Sequence, residues 1–440
     1  MKNQTVMIWV EVLRLTASAI VVGAALFFLS GCTDECETSR RFTYQEPVFM
    51  SMTDVRSSFE FTQPRTISQP GRIYYKDGFL FINEPGEGIH VIDNRDPRAP
   101  DARGFIEIPG NFDLAISGNT LYADRHVDLL AIDISNVDAP VVVNSTTNAF
   151  QNTTSRWFGF NPNQGVIVDW VEQVDEQVNI SDCENMGFID FGGVQIDFVR
   201  MADGIAASQS LESFSVSANG TGTAGSIARF AISDDFLYSV DQWTMQVFDI
   251  STKNLPKRGS SVNLGWGIET IFPYQDHLFL GAVDGMHIYS IENPGSPNFV
   301  SSYQHITSCD PVVVSGDYAY VTLRSGSLCQ GFTNQLDVIN INDKSNPWLE
   351  ASFPMDNPHG LGIDGETLFI AEGEFGLKAF DASDIHAIGN NLIAHFDDIH
   401  AFDVIALDNL LMVIGNDGLS QYQYLGDRVE LLSDIPIVSK

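Results

Sequence analysis

The sequence predicts an all-β repeat fold, and three observations carry the prediction. A short apolar strand that runs into a polar turn returns seven times. Almost every copy follows a strand–turn–strand unit. Where nothing intervenes the copies stand about 41 residues apart, the period of a four-stranded propeller blade. The chain has 440 residues, 44% of them hydrophobic. That is more than one core normally serves, so a repeat array or several domains are required.

The repeated strand and turn are first met in GIHVIDNRDPRAP (Gly88 to Pro100). Two carboxylates, a histidine and basic residues in a dozen positions would suit a metal loop or an active-site turn if the stretch stood alone. It does not. DLLAIDISNVDAP (Asp128 to Pro140), MQVFDISTKNLP (Met245 to Pro256), MHIYSIENPGSP (Met286 to Pro297), LDVININDKSNP (Leu336 to Pro347), GLKAFDASDIHA (Gly376 to Ala387) and the degraded GLSQYQYLGD (Gly418 to Asp427) repeat it. The polar position is Asp93, Asp133, Asp249, Ser290, Asn340, Asp381 and Gln423 in turn, groups that cannot share one chemistry. The motif therefore reads as architecture. Asp, Ser and Asn each close an Asx-type bond to the following backbone, and proline begins an edge strand that needs no ladder donor there.

Upstream of the copies stand hairpins such as GRIYYKDGFLFI (Gly71 to Ile82), LAISGNTLYA (Leu114 to Ala123) and VVVSGDYAYV (Val312 to Val321). Their turn residues, Asp77-Gly78, Gly118-Asn119, Gly316-Asp317, Asp364-Gly365 and Asp408-Asn409, accept the positive φ of a tight turn. The turn motif then leads into a fourth strand such as ARGFIEI (Ala102 to Ile108) or NFVSSY (Asn298 to Tyr303). Residues 67–440 are thus expected to form a seven-bladed β-propeller of four-stranded antiparallel blades. Between blades 2 and 3 the spacing widens to about 116 residues, so an insertion is expected near 144–225, projecting from the ring because it cannot join without breaking the period.

A core such as HVID or AIDI resembles that of the LVIVD-repeat proteins, bacterial and archaeal cell-surface β-propellers. The resemblance covers about Gly71 to the C-terminus, and EPVFMSMTDVRSSFEF (Glu46 to Phe61) looks like the same region of members that are lipoproteins. It implies the fold and a surface address. The family brings no established activity, so no functional residue is carried over, and a propeller does not imply one function.

Lys2 and Arg14 precede an apolar run from Leu15 to Leu29, which reads as a signal peptide over residues 1–31. Leu29-Ser30-Gly31-Cys32 resembles the bacterial lipobox, which implies acylation (palmitate) of Cys32. An uncleaved anchor is the rival, but the charge-free run is shorter than the roughly 20 residues that span a bilayer. Residues 32–66 are expected as tether and N-terminal segment. Thr33, Asp34 and Glu35 after the cysteine look like the surface-export signal of Bacteroidota-type lipoproteins. The expected address is the outer membrane, exposed at the cell surface. Contact with the membrane is expected through the lipid anchor only. Fifty-seven Asp and Glu against 23 Lys and Arg, a formal charge of −34, repel nucleic-acid phosphates, so no nucleic-acid partner is expected.

Candidate residues outside the repeat are few. Cys309 and Cys329 start and follow strands on one face of the fifth blade, which suggests a disulfide; a pairing of Cys36 with Cys183 stays open. Gly220, Gly222 and Gly225 satisfy G-x-G-x-x-G, but a propeller strand follows instead of a helix, so they read as a linker. His386, His395 and His400 with Asp397, Asp398 and Asp403 match no metal spacing, and no metal or other cofactor is expected. In the insertion, Trp157, Phe158, Phe160 and Trp170 are too apolar for a purely solvated loop, so Trp157 and Trp170 are candidate contacts.

One constellation remains. The turn after the second strand carries an acid in most blades: Glu84, Asp124, Asp241, Asp284, Glu372 and Asp417. These turns share one face, where summed fields would attract a cation or a basic partner, although turn chemistry also places acids there. The favoured expectation is a non-enzymatic, monomeric, surface-anchored scaffold that binds a protein or glycan. A hydrolase with a calcium-supported site at the propeller axis and a structural envelope or matrix component are the alternatives.

Overall fold

The computed structural model describes residues 35–150, 160–161, 164–182, 223–224, 226, 228–304, 311–325, 333–425 and 428–437. The chain divides into two compact units. The first comprises Met1–Glu46 and Val171–Arg200, the second Pro47–Trp170 and Met201–Lys440. Strands Glu35–Met50 and Gly165–Asp182 are neighbours in a sheet completed by Phe160–Asn161. Among the described residues no helix is long and apolar enough to cross a membrane.

The second unit is a β-propeller. Its described residues form seven antiparallel four-strand units, each running in chain order from an inner to an outer strand. The inner strands are Ile73–Lys76, Leu114–Ser117, Phe230–Ser233, Ile268–Tyr274, Val312–Ser315, Leu361–Asp364 and Ala401–Leu407. From the first to the seventh, each inner strand contacts the next. Covered on both faces, inner strands such as Leu114–Ser117 and Val312–Ser315 read as nearly continuous apolar runs, whereas the outer Val141–Thr146 and Lys257–Asn263 alternate. The cores lie between blades: one buried cluster joins the first blade to blades 4–7, a second joins the first three.

Local chemistry repeats with the blade. Hairpin turns take positive φ at Asp77 and Gly78, Gly118, Gly316, Gly365, and Asp408 and Asn409, as their residue types require; Asp234 and Gln275 do so in the third and fourth blades. In six blades the first residue after the third strand donates its N–H to that turn: Asn94 to Gly78, Ile134 to Asn119, Ile250 to Asp235, Ile291 to Asp276, Ile341 to Asp317 and Ala382 to Glu366; in the seventh, Tyr424, still within the third strand Gly418–Leu425, donates to Asn409. The Asx bond forms in six, from Arg95, Ser135, Ser251, Glu292, Asn342 and Ser383 to the side chain two residues earlier. The same turns also join blades. The hydroxyls of Tyr122 and Tyr238 donate to Lys253 and Pro294 at 2.8 and 3.1 Å, Ser301 to Lys344 at 2.6 Å, and Ser433 to Pro97 at 2.6 Å, the last closing the seventh blade on the first.

The expected boundaries need correction at both ends of the insertion. Asn144 to Thr146 belong to the outer strand of the second blade, and Ala149 and Phe150 are buried, Phe150 against Phe230 and Phe248. At the far end Thr223–Ala224 joins the first blade, pairing with Tyr75 and Tyr74 on its inner strand. Its free edge offers unpaired N–H and C=O groups, so a returning segment gains ladder bonds there that the blade period does not supply. The segment expected as tether is also partly built in. Helix Met52–Ser57 is capped by Ser51 and holds Asp128 of the second blade through Arg56, while Glu60–Thr62 pairs with the outer strand of the first.

Candidate functional site

Because successive strands alternate in direction, the turns after each second strand lie at one end of the blades, together with the segments that lead into the inner strands. The six acids lie at this end, and most are engaged locally. Glu84 Oε2 lies 2.7 Å from His90 Nε2 and 3.3 Å from Arg65 Nη2, and its Oε1 accepts the Ser68 hydroxyl and the N–H groups of Ser68 and Gln69. Burial alone would raise its pKa; His90, Ser68 and Arg65 hold it down to about 2. Asp124 Oδ1 accepts from Phe112 and Asp113 N–H at 2.8 and 2.9 Å and from Asn111 Nδ2 at 2.8 Å.

Glu372 Oε2 sits 2.6 Å from Lys378 Nζ, which also holds Asp356 at 2.6 Å, and Glu372 Oε1 accepts the N–H of Asp356. Burial nevertheless pushes the Glu372 carboxyl above its ordinary value. Asp417 Oδ2 accepts from the N–H of His400 at 2.9 Å. In these four blades, then, the acid clamps the segment leading into its own inner strand. Asp241 instead caps its own turn, accepting from Trp243 N–H, Thr244 N–H and Thr244 Oγ1. Asp284 is exposed, one oxygen 3.0 Å from His287 Nε2. The carboxylates are spread over separate blades and do not converge on one point.

The axial side of this end is charged but compensated. Arg72 Nε lies 3.2 Å from Asp113 Oδ2, which also accepts the backbone N–H of Arg229 at 2.6 Å. Burial, opposed by Arg72 and reinforced by Asp124, pushes Asp113 up to about 6. Beside the first inner strand, Thr223 and Ala224 are buried on the axial edge.

The three clustered histidines diverge. His386 faces Glu350 at 3.6 Å, His395 Nε2 donates to the Phe375 carbonyl at 2.9 Å, and His400 packs edge-on to Phe402. Among the described residues no group of three or more His, Cys, Asp or Glu side chains is placed to hold a metal ion. Cys32, Cys183, Cys309, Cys329, Trp157 and Gly225 lie outside the described residues, and so do the side chains of Cys36 and Trp170, whose backbones are in strands.

Sequence reasoning missed what this end exposes. Trp243, in the turn after Asp241, and Trp266, in the next connecting loop, are 43% and 60% exposed, and Phe375 stands out from the sixth blade. A signal was present in NLGWGI, because a tryptophan between two loop glycines has no neighbouring side chains to pack against. The charged residues that engage the acids, Arg65, His90 and Lys378, gave no comparable signal, being far in sequence or part of a repeated strand.

The fold defines a β-propeller protein built from repeats. Residues 111–148 and 308–354 match the LVIVD repeat, so the chain carries the repeats that its turns suggest. No curated protein matches it. Among solved structures it is similar to a protein from Lactobacillus plantarum, 13% identical over 84% of this chain and 97% of that one, with a TM-score of 0.54. It is also similar to the computationally designed Ika8 protein, 10% identical over 86% of this chain and 91% of that one, at a TM-score of 0.49. The structural likeness bears on fold alone and rests on the first of these.

Proposed function

We propose that the protein is an interaction scaffold, anchored at the outer surface of the cell through acylated Cys32, that presents one end of a rigid propeller to a protein or glycan partner. The observation that carries this reading is the disposition of that end. Thr223–Ala224 adds a strand on the axial side of the first blade. Four of the six acids brace their own blades, leaving exposed aromatic and acidic side chains on the connecting loops. Loops on a rigid scaffold are the usual place for recognition. A hydrolytic site at the axial mouth would have to assemble around the added strand, which favours the scaffold.

The test is cross-linking on intact cells that express the full chain, followed by identification of co-purified species. A specific surface partner captured by the wild type and lost with the propeller loops supports the reading. Recovery of the protein alone, or conversion of a surface polymer by the purified protein, would overturn it.

A further inference from the structure

We propose that Trp243, Trp266 and Asp284 form a docking patch for an arginine-bearing basic segment of a partner protein. The inference rests on the scaffold reading and assigns it a surface and a partner chemistry.

Two tryptophans left in water on adjacent loops are unusual for residues of this size. Among the described residues one further tryptophan is exposed, Trp348, and its Nε1–H is bound to Glu350 at 3.0 Å. The pair is held rigidly. Asp241 fixes the Trp243 turn, the N–H of Leu264 bonds to the Trp243 carbonyl at 2.8 Å, and the N–H of Gly267 to Gln242 at 2.9 Å. A further bond, Val283 N–H to Gly267 at 2.9 Å, ties this loop to the turn that carries Asp284. Gly265 and Gly267, at φ 94 and 87, let the chain pass either side of Trp266. The ordering cost of presenting these side chains is therefore met by the fold before any partner arrives.

Charge selects the partner. The exposed polar side chains flanking the pair are Gln242, Asn263 and Asp284, two amides and a carboxylate, and one Asp284 oxygen lies 3.0 Å from Nε2 of the half-buried His287. Asp356 and Asp417 are exposed at the same end, in a chain of formal charge −34. That field steers cations in and repels acidic ligands. A guanidinium stacks flat on an indole while its N–H fork reaches a carboxylate, which an ammonium does less well. Tryptophan and arginine are also the residues that most often dominate interface energetics.

The full-length protein in detergent would be titrated with an Arg-Gly-Gly repeat peptide, its Lys and Gln counterparts, and a neutral cello-oligosaccharide, read by tryptophan fluorescence and calorimetry at physiological salt. The expected result is binding of the Arg peptide roughly tenfold tighter than the Lys peptide, with about tenfold lost in Trp243→Ala/Trp266→Ala, whose net charge is unchanged. Asp284→Asn should weaken binding and its salt dependence. Both indoles are exposed, so thermal unfolding of the variants should match the wild type, and Trp243→Phe/Trp266→Phe should retain part of the affinity. Equal binding of Arg and Lys peptides without dependence on the tryptophans would mean mere charge attraction and would overturn the patch. So would no binding, or binding of the neutral sugar alone. A partner cross-linked elsewhere on the propeller would remove the patch and leave the scaffold reading; a functional patch with no cellular partner would do the reverse.

Discussion

Asn94, just after the third strand of the first blade, and Gln421, in the last blade, exchange two side-chain hydrogen bonds. Asn94 Nδ2 donates to Gln421 Oε1 at 2.7 Å, and Gln421 Nε2 donates to Asn94 Oδ1 at 2.8 Å. Both amides are buried, and Gln421 also reaches the Pro97 carbonyl and Ser433 Oγ. The two residues stand 327 positions apart, so the pair closes the first blade on the last.

Gln421→Leu should therefore destabilise the propeller by roughly 1–3 kcal/mol, because it strands a buried amide. Asn94→Leu should cost a similar amount, and the double variant clearly less than the sum. Urea unfolding of the four proteins measures the coupling; strict additivity would show that the pair does not act as a unit.

Two buried groups set opposing pH dependences. His126, in a left-handed turn with its ring against Gly110, is pushed down to about 4 by burial and by Arg125. Its unfolded form binds a proton near 6.5 and its folded form resists. That contribution is complete above pH 6.5 and lost as pH falls through 4, by roughly 3 kcal/mol. Asp113 is raised from 3.8 to about 6, so its contribution is complete below 3.8 and lost as pH rises through 6. The expected outcome is partial cancellation in the wild type. Asp113→Asn should steepen the loss of stability toward acid, and His126→Asn, which keeps a residue tolerant of positive φ, should leave stability falling between pH 4 and 6. Denaturation midpoints across that range would show it.

The N-terminal helix is latched by a buried carboxylate. Arg56 reaches Asp128 through Nε at 2.7 Å and Nη2 at 3.0 Å, and its carbonyl accepts from Arg125 at 3.0 Å. Arg56→Gln should cost roughly 1–3 kcal/mol, because Asp128 loses its bidentate partner while staying buried. Limited proteolysis should then cut between Pro47 and Thr62 at protease levels that leave the wild type intact. Unchanged protection would mean that the pairing of Glu60–Thr62 suffices.

Acylation at Cys32 makes a cellular prediction. Cys32→Ser should move the protein from the membrane pellet to the soluble fraction, since the anchor is the only membrane contact proposed. Mass spectrometry of wild-type membrane protein with Leu15 to Leu29 still attached would refute the processing step.

The blade was legible in the sequence because what makes it is local. Asp93 and its counterparts bond two residues ahead, Asp77-Gly78 turns within a four-residue window, and inner strands such as Val312–Ser315 declare their burial by continuous apolarity. The candidate site was legible only in part. Glu84, Asp124, Glu372 and Asp417 were found as a recurrent acid at one end, but their partners Ser68, Phe112, Asp356 and His400 come from the segments leading into the inner strands, which repeat in position and not in residue type. Tertiary structure alone decided that Thr223–Ala224 pairs with Tyr75 and Tyr74, that Gln421 meets Asn94, and that Trp243 and Trp266 are left exposed on loops tied to the Asp284 turn. The physical reason is that each of these contacts joins residues brought together by closure and turn stacking. Their free energy depends on the partner's position, and neither period nor propensity at one position carries that information.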